Sequence, residues 1–318
     1  MNDDTTSSGT ALRPRRILIA TDLSAASRAA LEFAGKISPP GSDIRIVSVA
    51  ENPRTLIPLG SSSAAVLDAA RQELLQDATS AVTRASVNFA RTDVRLDTDV
   101  IDLEKHGGDL VHGLLDCANA WRADLLVLGA DEHHGWLSRW VNGTVSESLA
   151  KLSHCPTLIV PTRDKARVHR APERILFAID GSDPALQALR FGLTFVGHEA
   201  ELRAIYVVDR AGQFTDIVPV GVLEDAFIEQ GEQALKVARP MLEAVCPHHS
   251  TTVLISTAKV HDDVAQAILR EAEKWRADLI VMGSHGRRGI ARWLLGSVAG
   301  HVAHATHAPL LLVNSTHT

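Results

Sequence analysis

Apolar residues in this chain fall into two patterns that alternate along it. The first is a short continuous run: Ile17-Leu18-Ile19-Ala20, Leu125-Leu126-Val127-Leu128, Thr157-Leu158-Ile159-Val160, Ile175-Leu176-Phe177-Ala178, Leu279-Ile280-Val281-Met282 and Leu310-Leu311-Leu312-Val313. A run of this length, aliphatic and without a polar face, reads as a strand buried on both sides, as in a parallel sheet. The second pattern recurs every three or four residues. Leu223, Phe227, Ala234, Ala238, Met241 and Val245 share one face of a helix, and we read that stripe as core packing. Ser182 is placed to cap a helix whose first turn holds Asp183 and Pro184. Strands and helices in alternation predict an α/β fold: a parallel sheet with helices on both faces.

The pattern occurs twice. Arg16-Ile17-Leu18-Ile19-Ala20-Thr21-Asp22-Leu23-Ser24 returns as Arg174-Ile175-Leu176-Phe177-Ala178-Ile179-Asp180-Gly181-Ser182. Trp121-Arg122-Ala123-Asp124 and the run after it return at Trp275-Arg276-Ala277-Asp278, and Cys155-Pro156 with its run returns at Ala308-Pro309. Three blocks in one order indicate a duplicated domain and not a short solenoid repeat. The sequence predicts a disordered polar tail over 1–15, a first domain over 16–161, a charged linker with Pro172 over 162–173, and a second domain over 174–314. Each domain is expected to be doubly wound, with a five-stranded, parallel-type sheet. In the second the strands are expected near 174–179, 202–208, 252–256, 279–282 and 310–313. Ser61-Ser62-Ser63 reads as a loop before a long helix.

Size and composition agree. A chain of 318 residues accommodates two ordinary domains. Hydrophobic residues make up 45% and aromatics only 4%, so the cores must be built from Ala, Val, Leu and Ile. A formal net charge of −6 leaves no basic excess to neutralise a nucleic-acid backbone. Three cysteines without a CxxC pair argue against a disulfide framework and for a reducing, cytoplasmic setting. The N-terminus has no basic segment followed by an apolar one, so no signal peptide is expected, and no apolar run reaches the roughly 20 residues needed to span a bilayer.

Candidate chemistry gathers at one loop. Gly283-Ser284-His285-Gly286 follows a predicted strand directly, and Gly296-Ser297 opens a segment that can be helical. Glycines at a strand end and a helix start permit sharp turns and close approach of a ligand, and a helix N-terminus offers N–H groups to an anion. Asp180, at the end of the first strand of half two, can accept hydrogen bonds from a sugar or a base amine; the alternative is a cap for the following helix. The spacing G-x2-G-x9-G-[ST] resembles the ATP-binding signature of the universal stress protein family, and the tandem repeat resembles its two-domain members. That resemblance implies the adenine nucleotide α-hydrolase-like fold and a nucleotide site formed by Asp180, Val207, Gly283, Gly286, Gly296 and Ser297. It also implies bound ATP, with magnesium or manganese. Tyr206 departs from the family's usual His before that valine, and Lys259-Val260-His261-Asp262 departs from the Gly-Pro or Gly-Asp pair usual after the third strand, where half one has Gly107-Gly108.

In half one, Asp22, Val49, Gly129, Gly143 and Thr144 occupy the matching positions and form a candidate weaker nucleotide site. There Glu132 stands where the second glycine belongs, and Gly143-Thr144 lies one residue late. A carboxylate beside phosphates repels them, and its Cβ restricts the turn; Gly135 offers a shifted register. A weak or empty first site is expected.

Other constellations carry less. Among 15 histidines, His301, His304 and His307, His133-His134 and His248-His249 cluster, but none completes a metal-ligand set. No Walker loop, GxGxxG, HExxH or GxSxG motif occurs, and no residue is assigned a catalytic role. The leading reading is a cytoplasmic stress-response protein that binds ATP, mainly in half two. It would act through nucleotide-dependent interaction or assembly with an unknown regulatory protein partner. A slow ATPase or self-phosphorylating enzyme, with Ser284, His285 or Ser297 near the γ-phosphate, is the first alternative. An interaction module with no nucleotide role is the second. Single-domain members of the family dimerise through their last strands. In a tandem chain the matching strands 157–160 and 310–313 are therefore expected to pair internally. A further homodimer would then use helix surfaces.

Overall fold

The computed structural model describes residues 13–56, 64–89, 91–130, 144–162, 170–209, 220–257, 263–286 and 295–314, with the backbone alone at 144–147 and 220–224. Most of the predicted tail, the middle of the predicted linker, Ser61-Ser62-Ser63 and Lys259-Val260-His261-Asp262 lie outside the described residues.

Half one runs β1 (Arg16–Ala20), α1 (Ala25–Ile37), β2 (Asp43–Ala50), α2 (Pro53–Leu56), α3 (Ala64–Asn88), β3 (Arg95–Asp102), α4 (Leu103–His106), α5 (Leu110–Ala120), β4 (Leu125–Ala130), α6 (Thr144–Leu152) and β5 (Thr157–Pro161). Half two repeats it as β6 (Arg174–Ala178), α7 (Asp183–Gly192), a short 3-10 turn, β7 (Glu201–Val208), α8 (Val220–Val245), β8 (Ser250–Ser256), α9 (Val264–Trp275), β9 (Leu279–Gly283), α10 (Ser297–Ala305) and β10 (Leu310–Val313). The five strands expected in half two are all present, and the third begins two residues earlier than predicted.

The ten strands form one sheet in the order β3-β2-β1-β4-β5-β10-β9-β6-β7-β8. Within each half every described pairing is parallel. The halves join where β10 meets β5 antiparallel, with Leu310 opposite Ile159 and Leu312 opposite Thr157. The internal pairing expected from the sequence is thus present, and it buries two edges that would otherwise template association.

Helices cover both faces. On one face a single core runs across the join, from Ile44 and Phe33 through Leu158 and Leu311 to Phe177, Leu202 and Leu242. On the other face lie two clusters, one around Leu114 and Leu128 in half one and one around Ile268 and Val302 in half two, the latter reaching across the join to Ala150 and Ile159.

The predicted stripe on α8 is only partly the buried one. Ala234 and Ala238 face the core, and Phe227 and Met241 pack against it. Val245 is 46% exposed, and Leu235, Leu242 and Cys246 take the inward positions. Leu223 lies among the residues described by backbone alone. A pattern of threes and fours extends equally well to either neighbour, and contact with β7 and β8 selects the rotation.

The repeated Trp-Arg-Ala-Asp block has a structural function at the amino edge of the sheet. Asp124 accepts hydrogen bonds from the backbone of Arg15 at 2.9 Å and Arg16 at 2.8 Å, which ties down the start of β1. Asp278 does the same for Glu173 and Arg174, at 3.1 and 3.0 Å. Trp121 packs under the guanidinium groups of Arg16 and Arg45, at 4.8 and 5.1 Å, and Trp275 under that of Arg203 at 4.6 Å.

Candidate functional site

Strand order reverses between β1 and β4 in half one and between β6 and β9 in half two. In open sheets of this kind, ligands bind beyond the carboxyl ends of the strands at such a crossing point. Asp180 stands there, two residues past β6. One of its oxygens accepts from the backbone N–H of Ser182 at 3.0 Å and from its hydroxyl at 2.6 Å. Ser182 in turn caps α7 by accepting from Ala185 N–H. Asp180 therefore holds the capping serine and is not itself the cap. Its second oxygen faces Gly286: a Cβ built on that glycine would lie 2.9 Å from it.

The loop after β9 folds back over the same place. Ser284 is fully buried; its backbone N–H donates to Val313 at 3.0 Å, and its carbonyl accepts from Gly296 N–H at 2.9 Å. That second bond brings the last motif glycine onto the first three motif residues. Gly296 is the N-cap of α10 and provides no side-chain hydrogen bond to the helix. The first turn of α10, from Ser297 on, thus opens beside Asp180 and Gly286. Such a helix start presents N–H groups and the positive end of its dipole. Ser284 Oγ lies 2.8 Å from Nδ1 of His285, whose Nε2 is buried and has no hydrogen-bond partner among the described residues.

Gly283 is explained by packing as well. A Cβ there would lie 3.1 Å from His285 O and 3.3 Å from the backbone of Pro184. At the matching Gly129 the crowding is far tighter, with Ala26 C at 2.2 Å and Ser27 N at 2.5 Å. The strand-end glycine lets the first turn of the preceding helix close onto the sheet. Val207 is partly buried, packs on the α9–α10 face, and pairs with Ile255.

In half one, Asp22 repeats the role of Asp180, accepting from Ser24 N–H at 2.9 Å while Ser24 caps α1. Val49 lies beside it at the end of β2. Asp22 and Val49 both line a cavity of about 260 Å³ beneath α3. Glu132, Gly135 and Gly143 lie outside the described residues, and Thr144 is described by its backbone as the first residue of α6. Gly107 and Gly108 both take positive φ, at 72° and 79°, around the end of α4. Sequence reasoning did not identify Ser48 as a wall of the half-one cavity, nor Leu23, which lines it with φ 63° where half two has Gly181.

The universal stress protein family model matches residues 14–161 and again 172–314. The chain belongs to the universal stress protein family. A universal stress protein of Methanocaldococcus jannaschii is 37% identical over 145 residues, which is 44% of this chain and 81% of that protein. One from Mycobacterium tuberculosis is 29% identical over 195 residues, 61% of this chain and 63% of that protein. The solved universal stress protein of Archaeoglobus fulgidus superimposes with a TM-score of 0.66 at 20% identity, over 94% of this chain and 95% of that one. A Pseudomonas aeruginosa structure described as a putative universal stress protein gives 0.55 at 16% identity, over 95% and 93%. These two likenesses concern the fold.

Among the described residues no group of three or more His, Cys, Asp or Glu side chains forms a metal site, and no helix is long and apolar enough to cross a membrane. His301, flagged by its spacing to His304, instead lies 3.1 Å from Asp263, the N-cap of α9. His133-His134 lie outside the described residues.

Proposed function

We propose that this universal stress protein binds an adenine nucleotide in half two and acts in the cytoplasm by changing its interactions or assembly with nucleotide state. The observation that carries the reading is the cradle around Gly286. A side chain there would press on Asp180, while the start of α10 opens beside it without a side-chain cap. Asp180 and the backbone of Val207 would hold ribose and adenine. Gly283, Gly286, Gly296 and Ser297 would surround the phosphates with N–H groups. A divalent ion, magnesium or manganese, would arrive with the triphosphate and be coordinated largely by its oxygens and water. Further association into a homodimer through helix surfaces, and an unidentified regulatory protein partner, belong to the same reading.

Calorimetric titration of ATP into wild type and Gly286→Val tests it. Loss of at least tenfold in affinity supports the site; equal affinity removes it. Mass spectrometry of ligand released from the denatured protein identifies the resident nucleotide.

A second reading, slow hydrolysis or self-phosphorylation, draws on the 2.8 Å contact between Ser284 Oγ and His285 Nδ1. A hydroxyl within hydrogen-bond reach of an imidazole is a nucleophile–base arrangement. The full burial of Ser284 opposes it, because the hydroxyl would have to reach a phosphorus in line. Single-turnover measurement with labelled ATP on wild type and Ser284→Ala separates the two readings.

A further inference from the structure

The sheet ends at β3 in half one and at β8 in half two, and the two edges are finished differently. On β3, Arg95 faces β2, its N–H donating to Ser42 O at 2.9 Å. The alternate residues Leu96, Thr98 and Val100 therefore turn their backbone groups outward. Two of those outward N–H groups are already taken: Thr98 donates to Asp97 Oδ1 and Val100 to Asp99 Oδ1, both at 2.9 Å. Arg45 holds the two aspartates as ion pairs. An edge with its donors occupied and charges along it resists the addition of a strand.

β8 lacks this device. Leu202 N–H donates to His249 O at 2.8 Å and Thr257 N–H to Val208 O at 3.0 Å, so the odd-numbered residues between them face β7. Ser250, Thr252, Leu254 and Ser256 turn both backbone groups outward. The register sets Thr251 opposite Arg203 as Asp97 lies opposite Arg45, and Val253 stands where Asp99 does. Thr251 Oγ1 is engaged with Arg203 Nε at 3.2 Å. The strand Ser-Thr-Thr-Val-Leu-Ile-Ser has neither charge nor proline, the two features that most often guard an edge.

The surroundings of β8 fit a second copy of it. Antiparallel pairing about a two-fold axis at Val253 sets Ser250 against Ser256 and Thr252 against Leu254, the one register that pairs all the outward residues. Uncharged and β-branched side chains then meet across both faces. On α8, Glu232 and Arg239 are exposed and, seven residues apart, share one side of the helix. Arg239 reaches Thr252 Oγ1 at 2.9 Å, while Gly231, next to Glu232, stands over Leu254. The same two-fold brings Arg239 of each copy toward Glu232 of the other.

We propose that the outer edge of β8 is the homodimer contact, pairing with β8 of a second copy to continue the sheet from one chain into the next. This deepens the homodimer of the reading above and sets a sheet edge in place of helix surfaces. Because β3 is plugged, an isologous pairing at β8 closes the assembly at two copies.

Sedimentation velocity on the full chain over a wide concentration range tests it. Wild type should dimerise. Thr251→Asp transfers the plug of β3, and Thr252→Pro removes an outward N–H without touching the ladder to β7. Each should raise the dimer dissociation constant at least tenfold with unchanged circular dichroism. Arg239→Glu, on the helix surface, should weaken the dimer, and Glu232→Arg added to it should restore it. Hydrogen exchange at the Leu254 amide should slow on dimerisation. A dimer that survives both strand substitutions puts the contact on helix surfaces and overturns the edge. Absence of rescue in the charge-swapped pair overturns the two-fold register. A Leu254 amide equally protected in the monomeric variant shows that another segment covers β8, which also overturns the proposal. A wild type that stays monomeric at every concentration removes the homodimer altogether. The titration of ATP into Gly286→Val decides the nucleotide site separately from all of these.

Discussion

Leu311 of β10 lies opposite Leu158 of β5, both 1% exposed, across the one antiparallel ladder among the described strand pairs. The join therefore carries both backbone hydrogen bonds and the core that spans the two halves on one face. An aspartate at Leu311 would put an unpaired carboxylate into that core and remove a buried leucine. We expect Leu311→Asp to destabilise the chain by about 4 kcal/mol or more. Urea unfolding followed by circular dichroism checks this. A midpoint within experimental error of wild type would mean that the halves do not depend on the join.

Two equivalent arginines close helices in a left-handed conformation. Arg122 has φ 52° after α5, and Arg276 has φ 56° as the C-cap of α9. Both are exposed, and a glycine is unstrained at such a position. Arg276→Gly should stabilise half two by about 0.5–1 kcal/mol, offset in part by the greater freedom glycine gives the unfolded chain. A lower urea midpoint in the variant would contradict this.

The acid sensitivity of half one follows from Asp102. Burial pushes its carboxyl up, but the hydrogen bond from Arg71 at 2.6 Å, the charge of Arg71 and the backbone N–H groups of Glu104 and Lys105 outweigh it and hold the carboxyl below the usual range. Asp43, bonded to Arg95, and Asp93, bonded to Arg91, are lowered as well. A carboxyl lowered on folding stabilises the fold above its unfolded value of about 3.9, and this stabilisation is lost as pH falls through the folded value. Stability should thus hold near neutrality and fall below about pH 4. Arg71→Leu should be less stable at pH 7 and lose less on acidification. Urea midpoints measured from pH 7 down to 2.5 on both proteins test the sign.

Thiol chemistry should be slow in the native protein. Burial raises the Cys155 thiol, with Asp124 contributing, against hydrogen bonds from Ser153 and the backbone that lower it; burial likewise raises Cys117. Cys246 is buried and donates to Ala200 O at 3.0 Å. Because the thiolate is the reactive form, iodoacetamide at neutral pH should modify all three cysteines only after denaturation. Rapid native labelling of Cys155 would contradict this assignment.

The alternation of elements and the duplication were legible because buried parallel strands leave unbroken aliphatic runs, as at Leu279–Met282. The edge strand β3 leaves a different trace. Arg95, Asp97 and Asp99 keep it charged and mostly exposed, and Arg45 pairs with the two aspartates. The loop glycines were legible by spacing, but their separate duties were not. Gly129 and Gly283 admit a neighbouring helix, whereas Gly286 keeps a side chain away from Asp180. The half-one cavity left no sequence pattern, since the residues that line it come from separate stretches of chain, around Thr21–Leu23, Ser48–Glu51 and Leu74–Arg84.

That division of duties separates packing from binding at the strand-end glycines. At Gly129 an added Cβ would stand 2.2–2.5 Å from the backbone of Ala26 and Ser27, and backbone cannot swing aside. Gly129→Ala should therefore force α1 off the sheet and cost about 3 kcal/mol or more. At Gly283 the nearest atoms are 3.1–3.4 Å away, contacts that a few tenths of an ångström of movement relieve. Gly283→Ala should cost about 1 kcal/mol or less and leave the fold intact. If half two holds phosphates against this loop, the small shift should still weaken ATP measurably, because those contacts depend on N–H groups aimed by the backbone. Hydrogen exchange locates the damage in each variant, and calorimetry reads the affinity. Equal destabilisation by the two substitutions would remove the packing difference. Unchanged ATP affinity in Gly283→Ala would leave that glycine a packing residue alone.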